Sequence, residues 1–144
     1  SLKRANCVVI NGSKNIDIEK KILRYNKKIK IFYSKHNPLN INDYNNKNIT
    51  AFAGIGNTEN FFNLLKNNNL NIVEKIKFPD HYNYSKNEIE NLIYNSEKKN
   101  TILLTTEKDY CRINEIYKKK INYLKIVTEI ENEEKFIDEI KKII

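Results

Sequence analysis

The chain has 144 residues, 40% of them apolar, and its 26 Lys and Arg against 18 Asp and Glu give a formal net charge of +8. With only 3 Gly, 2 Pro and 2 Cys, the composition excludes collagen-like, disulfide-scaffold and low-complexity proteins. A chain of this length buries roughly two-thirds of its unfolded surface, so residues 1–144 are predicted to form one soluble globular domain without help from disulfides or a metal.

Membrane and export signals are not evident in the sequence. It contains no run of about 18 uncharged apolar residues, and its first residues lack the apolar core of a signal peptide. Cys7 and Cys111 lie outside any C-x-x-C pair, and we interpret them as reduced, buried cytosolic thiols, with metal ligation or a disulfide as minor alternatives. The positive charge favours encounters with anions such as nucleotides, nucleic acids or acidic lipids.

Short apolar runs alternate with stretches of helical period, a pattern typical of βαβ units and a parallel sheet. Several runs are continuously apolar, as expected where helices cover both faces of the sheet. The predicted strands are 7–10, 29–33, 49–53, 72–78, 101–105 and 124–127. The fold class is therefore α/β, as a three-layer α/β/α domain with a mostly parallel sheet of five or six strands.

Helix start signals lie between these strands. They are Asp17, Thr58, the capping box from Ser85 to Glu88, and Asn132, each followed by apolar residues at helical spacing. A further helix is predicted to carry Tyr110, Ile113 and Ile116. The stretch 35–48 is predicted to be a polar loop, and its His36 a surface residue.

The first candidate binding loop, residues 53–58, runs from a predicted strand into a helix and contains Gly54, Gly56 and Asn57. Two glycines let backbone N–H groups approach a ligand, and a helix N-terminus favours an anion. The dinucleotide fingerprint lacks its third glycine at Glu59, and no Gly-Lys-Ser/Thr sequence occurs anywhere in the chain. Spacing alone favours a tight turn over a phosphate-binding loop.

The second candidate loop, residues 78–84, places Asp80 and His81 directly after a strand. A histidine can transfer protons or orient a base, and a neighbouring carboxylate can set its charge. The alternative is a capping loop for the next helix. Because Ser85 already supplies that cap, Asp80 and His81 have no obvious structural role.

The third candidate loop contains Glu107, Lys108 and Asp109, between a strand and a helix start. Acidic residues there complement the helix dipole, so a structural capping role is favoured. Lys108 opposes the dipole, which suggests that it serves an anionic ligand or pairs with Asp109 or Asp80.

The order and spacing of these loops, together with residues 2–12, closely resemble the C-terminal half of the tetraacyldisaccharide 4′-kinase family, the lipid A 4′-kinases. The resemblance covers essentially the whole chain and implies transfer of the ATP γ-phosphoryl group, with Mg²⁺, to the 4′-hydroxyl of tetraacyldisaccharide 1-phosphate. It also implies a cytoplasmic location, peripheral to the anionic cytoplasmic face of the inner membrane in Gram-negative-type bacteria.

By the same resemblance, Asp80 and His81 are catalytic residues: His81 orients the base that accepts the hydroxyl proton, and Asp80 holds the geometry. Gly54, Gly56 and Asn57 line the substrate and nucleotide cleft, as do Glu107, Lys108 and Asp109, without individual roles. No metal ligand is assigned within this chain.

The sequence departs from the family pattern in one decisive respect. The family's phosphate loop, magnesium ligand and principal catalytic aspartate belong to an N-terminal half that is not in this sequence, so ATP and Mg²⁺ are expected to bind mainly there. We therefore predict that residues 1–144 need that P-loop domain, in cis or in trans, and are inactive alone. The alternatives are a non-catalytic anion- or nucleotide-binding module and, on charge alone, a nucleic-acid-binding domain; no specific nucleic-acid partner is expected.

Overall fold

A computed structural model describes residues 2–143, which contain seven strands and six α-helices. In chain order these are β1 Cys7–Asn11, α1 Ile16–Tyr25, β2 Lys30–Pro38, β3 Asn48–Ala53, α2 Thr58–Asn67, β4 Asn71–Lys77, α3 Lys86–Lys98, β5 Ile102–Thr106, α4 Glu107–Tyr110, α5 Glu115–Lys118, β6 Ile121–Leu124, β7 Ile126–Ile130 and α6 Glu133–Lys141. Single 3₁₀ turns lie at Leu2–Arg4 and Ile41–Tyr44.

The elements divide into two compact units. One comprises residues 2–37 and 127–143, with a sheet in the order β1-β2-β7, in which β1 and β2 are parallel. The other comprises residues 38–126, with a sheet in the order β4-β3-β5-β6 whose neighbours are all parallel. The α/β class is confirmed, but seven strands in two sheets replace the predicted single sheet of five or six. That residues 1–144 form one domain stays a prediction.

The four-stranded sheet is covered on both faces, as its apolar strands predict. All residues of β3 after Asn48 are buried. Because side chains alternate along a strand, Ala51 and Ala53 pack in one cluster with Phe62 of α2, while Phe52 packs in another with Ile89 of α3. Residues 38–126 are therefore layered α/β/α, with the loops after β3, β4 and β5 leaving the same edge of the sheet.

The predicted strand 124–127 is wrong, because it joins the end of β6 to the start of β7. Lys125 separates the two strands. Its N–H donates to Asn40 Oδ1 at 2.8 Å, and its carbonyl accepts from the Leu39 N–H at 2.9 Å. These bonds lie outside any ladder between strands, so the sheet ends at Leu124.

The predicted polar loop 35–48 is also wrong in its first residues, since β2 continues to Pro38. A proline is tolerated there because the strand ends and no further N–H is needed. His36 is exposed, as predicted. Its ring nitrogens lie 2.6 Å from Asn11 Nδ2 and 3.0 Å from Thr128 Oγ1, on β1 and β7.

The Ser85 capping box is present. The Glu88 N–H donates to Ser85 Oγ at 3.3 Å, and the Ser85 N–H donates to Glu88 Oε2 at 2.8 Å. The predicted helix through Tyr110, Ile113 and Ile116 is instead two short helices. Asn114 interrupts it, since its side chain accepts from the Ile116 N–H at 3.1 Å and begins α5.

The two cysteines are free, but neither is buried as predicted. Cys7 is half-buried in β1, and Cys111 is exposed directly after α4. Within residues 2–143, no helix is long and apolar enough to cross a bilayer.

We predict that Phe62→Ala lowers the free energy of unfolding by about 3–5 kcal/mol, because the Phe62 ring is fully buried between α2 and the four-stranded sheet. The matched control is Tyr94→Ala on α3, where the side chain is 63% exposed and the expected loss is below about 1 kcal/mol. Urea unfolding measures both. Equal losses would contradict this packing.

Candidate functional site

The loops that follow β3 and β4 lie against each other at the carboxyl edge of the four-stranded sheet. The Phe78 N–H donates to the Ala53 carbonyl at 2.8 Å, and the His81 N–H donates to the Gly54 carbonyl at 3.1 Å. We call residues 53–57 the glycine loop and residues 78–84 the Asp-His loop. Two of the three predicted loops are thus joined through their backbones.

The Asp-His loop approaches both glycines closely, Gly54 with backbone and packed aromatic groups and Gly56 with one partly exposed side chain. A Cβ on Gly54 would lie 2.9 Å from Tyr84 Oη and 3.1 Å from the Pro79 carbonyl oxygen. A Cβ on Gly56 would lie 3.1 Å from Asp80 Oδ2. At position 54 only glycine leaves this room for the second loop, whereas at position 56 the Asp80 side chain can shift, so Gly54 in particular serves the packing of the site.

The third predicted loop joins the glycine loop through a buried carboxylate. Asp109 is 0% exposed, and its Oδ2 accepts from the Gly54 N–H at 3.0 Å and from the Thr106 hydroxyl at 2.7 Å. Arg112 Nη1 lies 3.6 Å from Asp109 Oδ1. Hydrogen bonds to an ionised acceptor are strong, and a nearby cation offsets the cost of burying the charge. Asp109 therefore ties the β5–α4 junction to the glycine loop.

The side chains of Asp80 and His81 lie on the open side of this arrangement, 46% and 68% exposed. His81 Nε2 is 3.7 Å from Asp80 Oδ2, while His81 Nδ1 is 2.9 Å from Arg112 Nη2. The backbone of His81 has a φ of 59°, in the left-handed region that few non-glycine residues adopt. This conformation lets its N–H contact both the Gly54 carbonyl and Asp80 Oδ1.

The aromatic side chains of the Asp-His loop anchor it to the rest of the unit. Phe78 and Tyr84 both pack edge-on against Phe52 of β3. Burial, reinforced by the negative charge of Asp109, raises the pKa of Tyr84 far above its ordinary value, so its phenol stays neutral. Tyr82 donates a hydrogen bond to Glu88, which raises the pKa of Tyr82 and connects the loop to α3.

In the described part of the chain, the side chains of some predicted cleft residues form no hydrogen bond or ion pair with the Asp-His loop or with Asp109. Asn57 caps α2, where its side chain accepts from the Asn60 N–H at 3.2 Å. Glu107 and Lys108 are exposed in α4, and neither forms an ion pair within residues 2–143. The suggested pairing of Lys108 with Asp109 or Asp80 is therefore wrong, because Arg112 is the cation beside Asp109.

The motifs in the sequence did not single out Thr106, Tyr84 or Arg112. Thr106 donates to Asp109, Tyr84 lies against Gly54, and Arg112 contacts both Gly54 and His81. A signal for Arg112 was present. It is the only arginine between residues 25 and 144 in a lysine-rich chain, and it lies three positions after Asp109. Arginine suits sites where one planar group must bind several acceptors, so a lone arginine there indicates a specific contact.

Residues 38–126 thus define an α/β unit whose polar residues gather at the carboxyl edge of a parallel sheet, the edge at which such proteins usually bind ligands. The family model described as tetraacyldisaccharide-1-P 4′-kinase matches residues 1–144, and the chain belongs to that family. The resemblance noted from the motifs is confirmed.

Curated relatives carry the same name. A tetraacyldisaccharide 4′-kinase of Pelagibacter ubique is 38% identical over 146 residues, covering 99% of this chain and 46% of the relative. One from Rickettsia bellii is 54% identical over 68 residues, covering 47% of this chain and 21% of the relative. The chain therefore spans about half or less of the length of these relatives.

A solved structure has the same fold. The crystal structure of LpxK from Aquifex aeolicus, described as an "apo" form in complex with ATP, matches with a TM-score of 0.59 at 21% identity. The match covers 96% of this chain and 52% of that one. At this identity the likeness establishes the fold.

We predict that Gly54→Ala destabilises the chain by about 1–3 kcal/mol, because its Cβ meets the Pro79 backbone and Tyr84 in a packed site. Gly56→Ala is the matched control, since its Cβ meets only the Asp80 side chain, which is partly exposed and can move. Thermal unfolding compares the two. A Gly54 variant as stable as the Gly56 variant would refute the close approach of the loops.

Proposed function

We propose that this chain is the C-terminal part of a kinase that transfers the γ-phosphoryl group of ATP to the 4′-hydroxyl of tetraacyldisaccharide 1-phosphate, in lipid A biosynthesis. The observation that carries the proposal is the family match along residues 1–144, combined with a polar cluster at the edge of the sheet where ligands bind. The Pelagibacter ubique relative is named a tetraacyldisaccharide 4′-kinase, which supports this substrate and position of transfer.

Phosphoryl transfer to a hydroxyl group depends mainly on positioning, on stabilisation of charge and on a group that receives the hydroxyl proton. In our proposal, His81 orients that group and Asp80 holds the local geometry. Their exposure supports this, because a substrate can reach both side chains. The left-handed backbone of His81 also supports it, since unusual conformations cluster at functional sites.

The other predicted cleft residues take different roles in this proposal. Asp109 is fully buried and the Gly54 N–H is bound to it, so we assign both to the support of the site. Gly56 and Asn57 are exposed at the start of α2, and Glu107 and Lys108 at the start of α4. We propose that these four face the cleft.

Magnesium and the phosphates of ATP are assigned to another segment of the kinase. Among residues 2–143 there is no group of three or more His, Cys, Asp or Glu that could hold a metal ion. Magnesium in such enzymes is usually bound by one or two carboxylates together with substrate phosphates, so we place it with the phosphates of ATP and derive no step through it here. The sequence also has no Gly-Lys-Ser/Thr phosphate loop, which supports a P-loop domain as partner, in cis or in trans.

We further propose peripheral contact with an anionic membrane surface, at the cytoplasmic face of the inner membrane. The net charge of +8 supports this. A well-placed lysine or arginine gains up to about 1 kcal/mol near an acidic lipid surface.

We predict that His81→Ala, introduced into the full-length kinase that contains residues 1–144, lowers kcat at least about 100-fold, because the proton acceptor loses its orientation. The exposed side chain of His81 leads us to expect a change in unfolding free energy below about 1 kcal/mol. His36→Ala is the control and should leave kcat unchanged. The assay measures phosphate transfer from ATP to the tetraacylated disaccharide. An unchanged kcat in the His81 variant would mean that the Asp-His loop has only a structural role.

A further inference from the structure

We propose that Arg112 is a positioning residue that fixes the tautomer of His81, so that Nδ1 accepts a hydrogen bond and the imidazole proton is held on Nε2. The tautomer itself follows from the geometry of this chain. Its consequence for catalysis rests on the proposed function.

The donors and acceptors of the two side chains decide the tautomer of His81. A guanidinium group has five N–H donors and no acceptor. Arg112 Nη2 lies 2.9 Å from His81 Nδ1, so Nδ1 must be the acceptor and carries no proton. A neutral imidazole then has its proton on Nε2, because one ring nitrogen donates and the other accepts.

Arg112 is held firmly enough to impose this choice. Its side chain is only 22% exposed, and Nη1 lies 3.6 Å from Asp109 Oδ1 and 3.4 Å from the Gly54 carbonyl oxygen. Asp109 is itself buried and bound to the Gly54 N–H. The planar guanidinium therefore connects the buried carboxylate to the exposed histidine, an arrangement that lysine cannot reproduce.

The Nε2–H of His81 lies on the side of Asp80, with Nε2 3.7 Å from Asp80 Oδ2. With the proton on this nitrogen, His81 offers a hydrogen-bond donor to an oxygen atom on the open side of the loop. In the proposed kinase, His81 would thus orient an oxygen acceptor by donating to it, and the proton of the 4′-hydroxyl would pass to a different group.

The second histidine provides an internal reference, because its contacts favour the opposite tautomer. Asn11 Nδ2 is a donor and lies 2.6 Å from His36 Nε2. His36 Nδ1 lies 3.0 Å from Thr128 Oγ1, to which it can donate. His36 therefore carries its proton on Nδ1, and His81 on Nε2.

Long-range ¹H–¹⁵N NMR spectra of the 144-residue chain test this directly, at about pH 8.5, above the ordinary histidine pKa of about 6.5. With only two histidines in the chain, His36→Gln assigns the signals. We expect His81 to show an unprotonated Nδ1 and His36 an unprotonated Nε2. A protonated Nδ1 at His81 would overturn the proposal without any substitution of Arg112.

The role of Arg112 is tested by Arg112→Gln, with Arg24→Gln on the exposed face of α1 as control. We expect the Nδ1 signal of His81 to shift in the first variant only, while His36 is unchanged in both. Circular dichroism checks that each variant is folded. If Arg112→Gln does not fold, Arg112→Lys replaces it, since it keeps a cation near Asp109. A His81 spectrum identical to that of the parent, in a folded variant, would overturn the proposal.

In the full-length kinase, Arg112→Gln should lower kcat about 10- to 100-fold with little change in KM, because orientation is lost and substrate contacts are kept. An unchanged kcat in a variant with an altered His81 tautomer would show that the tautomer does not affect catalysis. If the parent kinase itself transfers no phosphate to the disaccharide, the proposed function fails, while the NMR result still decides the tautomer.

Discussion

The buried carboxylate of Asp109 is the constraint on which the arrangement of the loops depends. An ionised carboxylate removed from water is costly unless hydrogen bonds and an opposite charge compensate it. Here the Gly54 N–H and the Thr106 hydroxyl bind one oxygen, and the Arg112 guanidinium lies near the other. Because these groups belong to the glycine loop and to residues 106–112, holding the carboxylate in place brings together the ends of the neighbouring strands β3 and β5.

The rest of the site follows from that position. The Gly54 carbonyl accepts from the His81 N–H, and the same Arg112 that faces Asp109 reaches the His81 ring. The site thus has an inner, buried part that sets the geometry and an outer, exposed part that meets solvent. In the proposed kinase, the outer part would meet the substrate. Residues far from the transferred group would then affect the rate through orientation.

Much of the fold was predictable, because local signals and packing agree. The apolar run of β3 predicted a strand buried on both faces, and Ser85 with Glu88 predicted the start of α3. The motifs in the polar loops after the strands also identified the family. The burial of Asp109 was not predictable, since an aspartate in the first turn of a helix is ordinarily exposed. The contact of Arg112 with His81 and the break at Lys125 were missed because the partners, His81 and Asn40, are distant in sequence.

Native-state hydrogen exchange of the Gly54 amide tests the central claim most directly. If the buried Asp109 carboxylate holds the glycine loop, this amide should exchange slowly in the parent chain, and Asp109→Ala should abolish the protection while amides in the middle of β3 remain protected. The exposed Glu107→Ala is the control and should leave the Gly54 amide protected. A Gly54 amide that exchanges as fast as exposed loop amides in the parent chain would contradict the account.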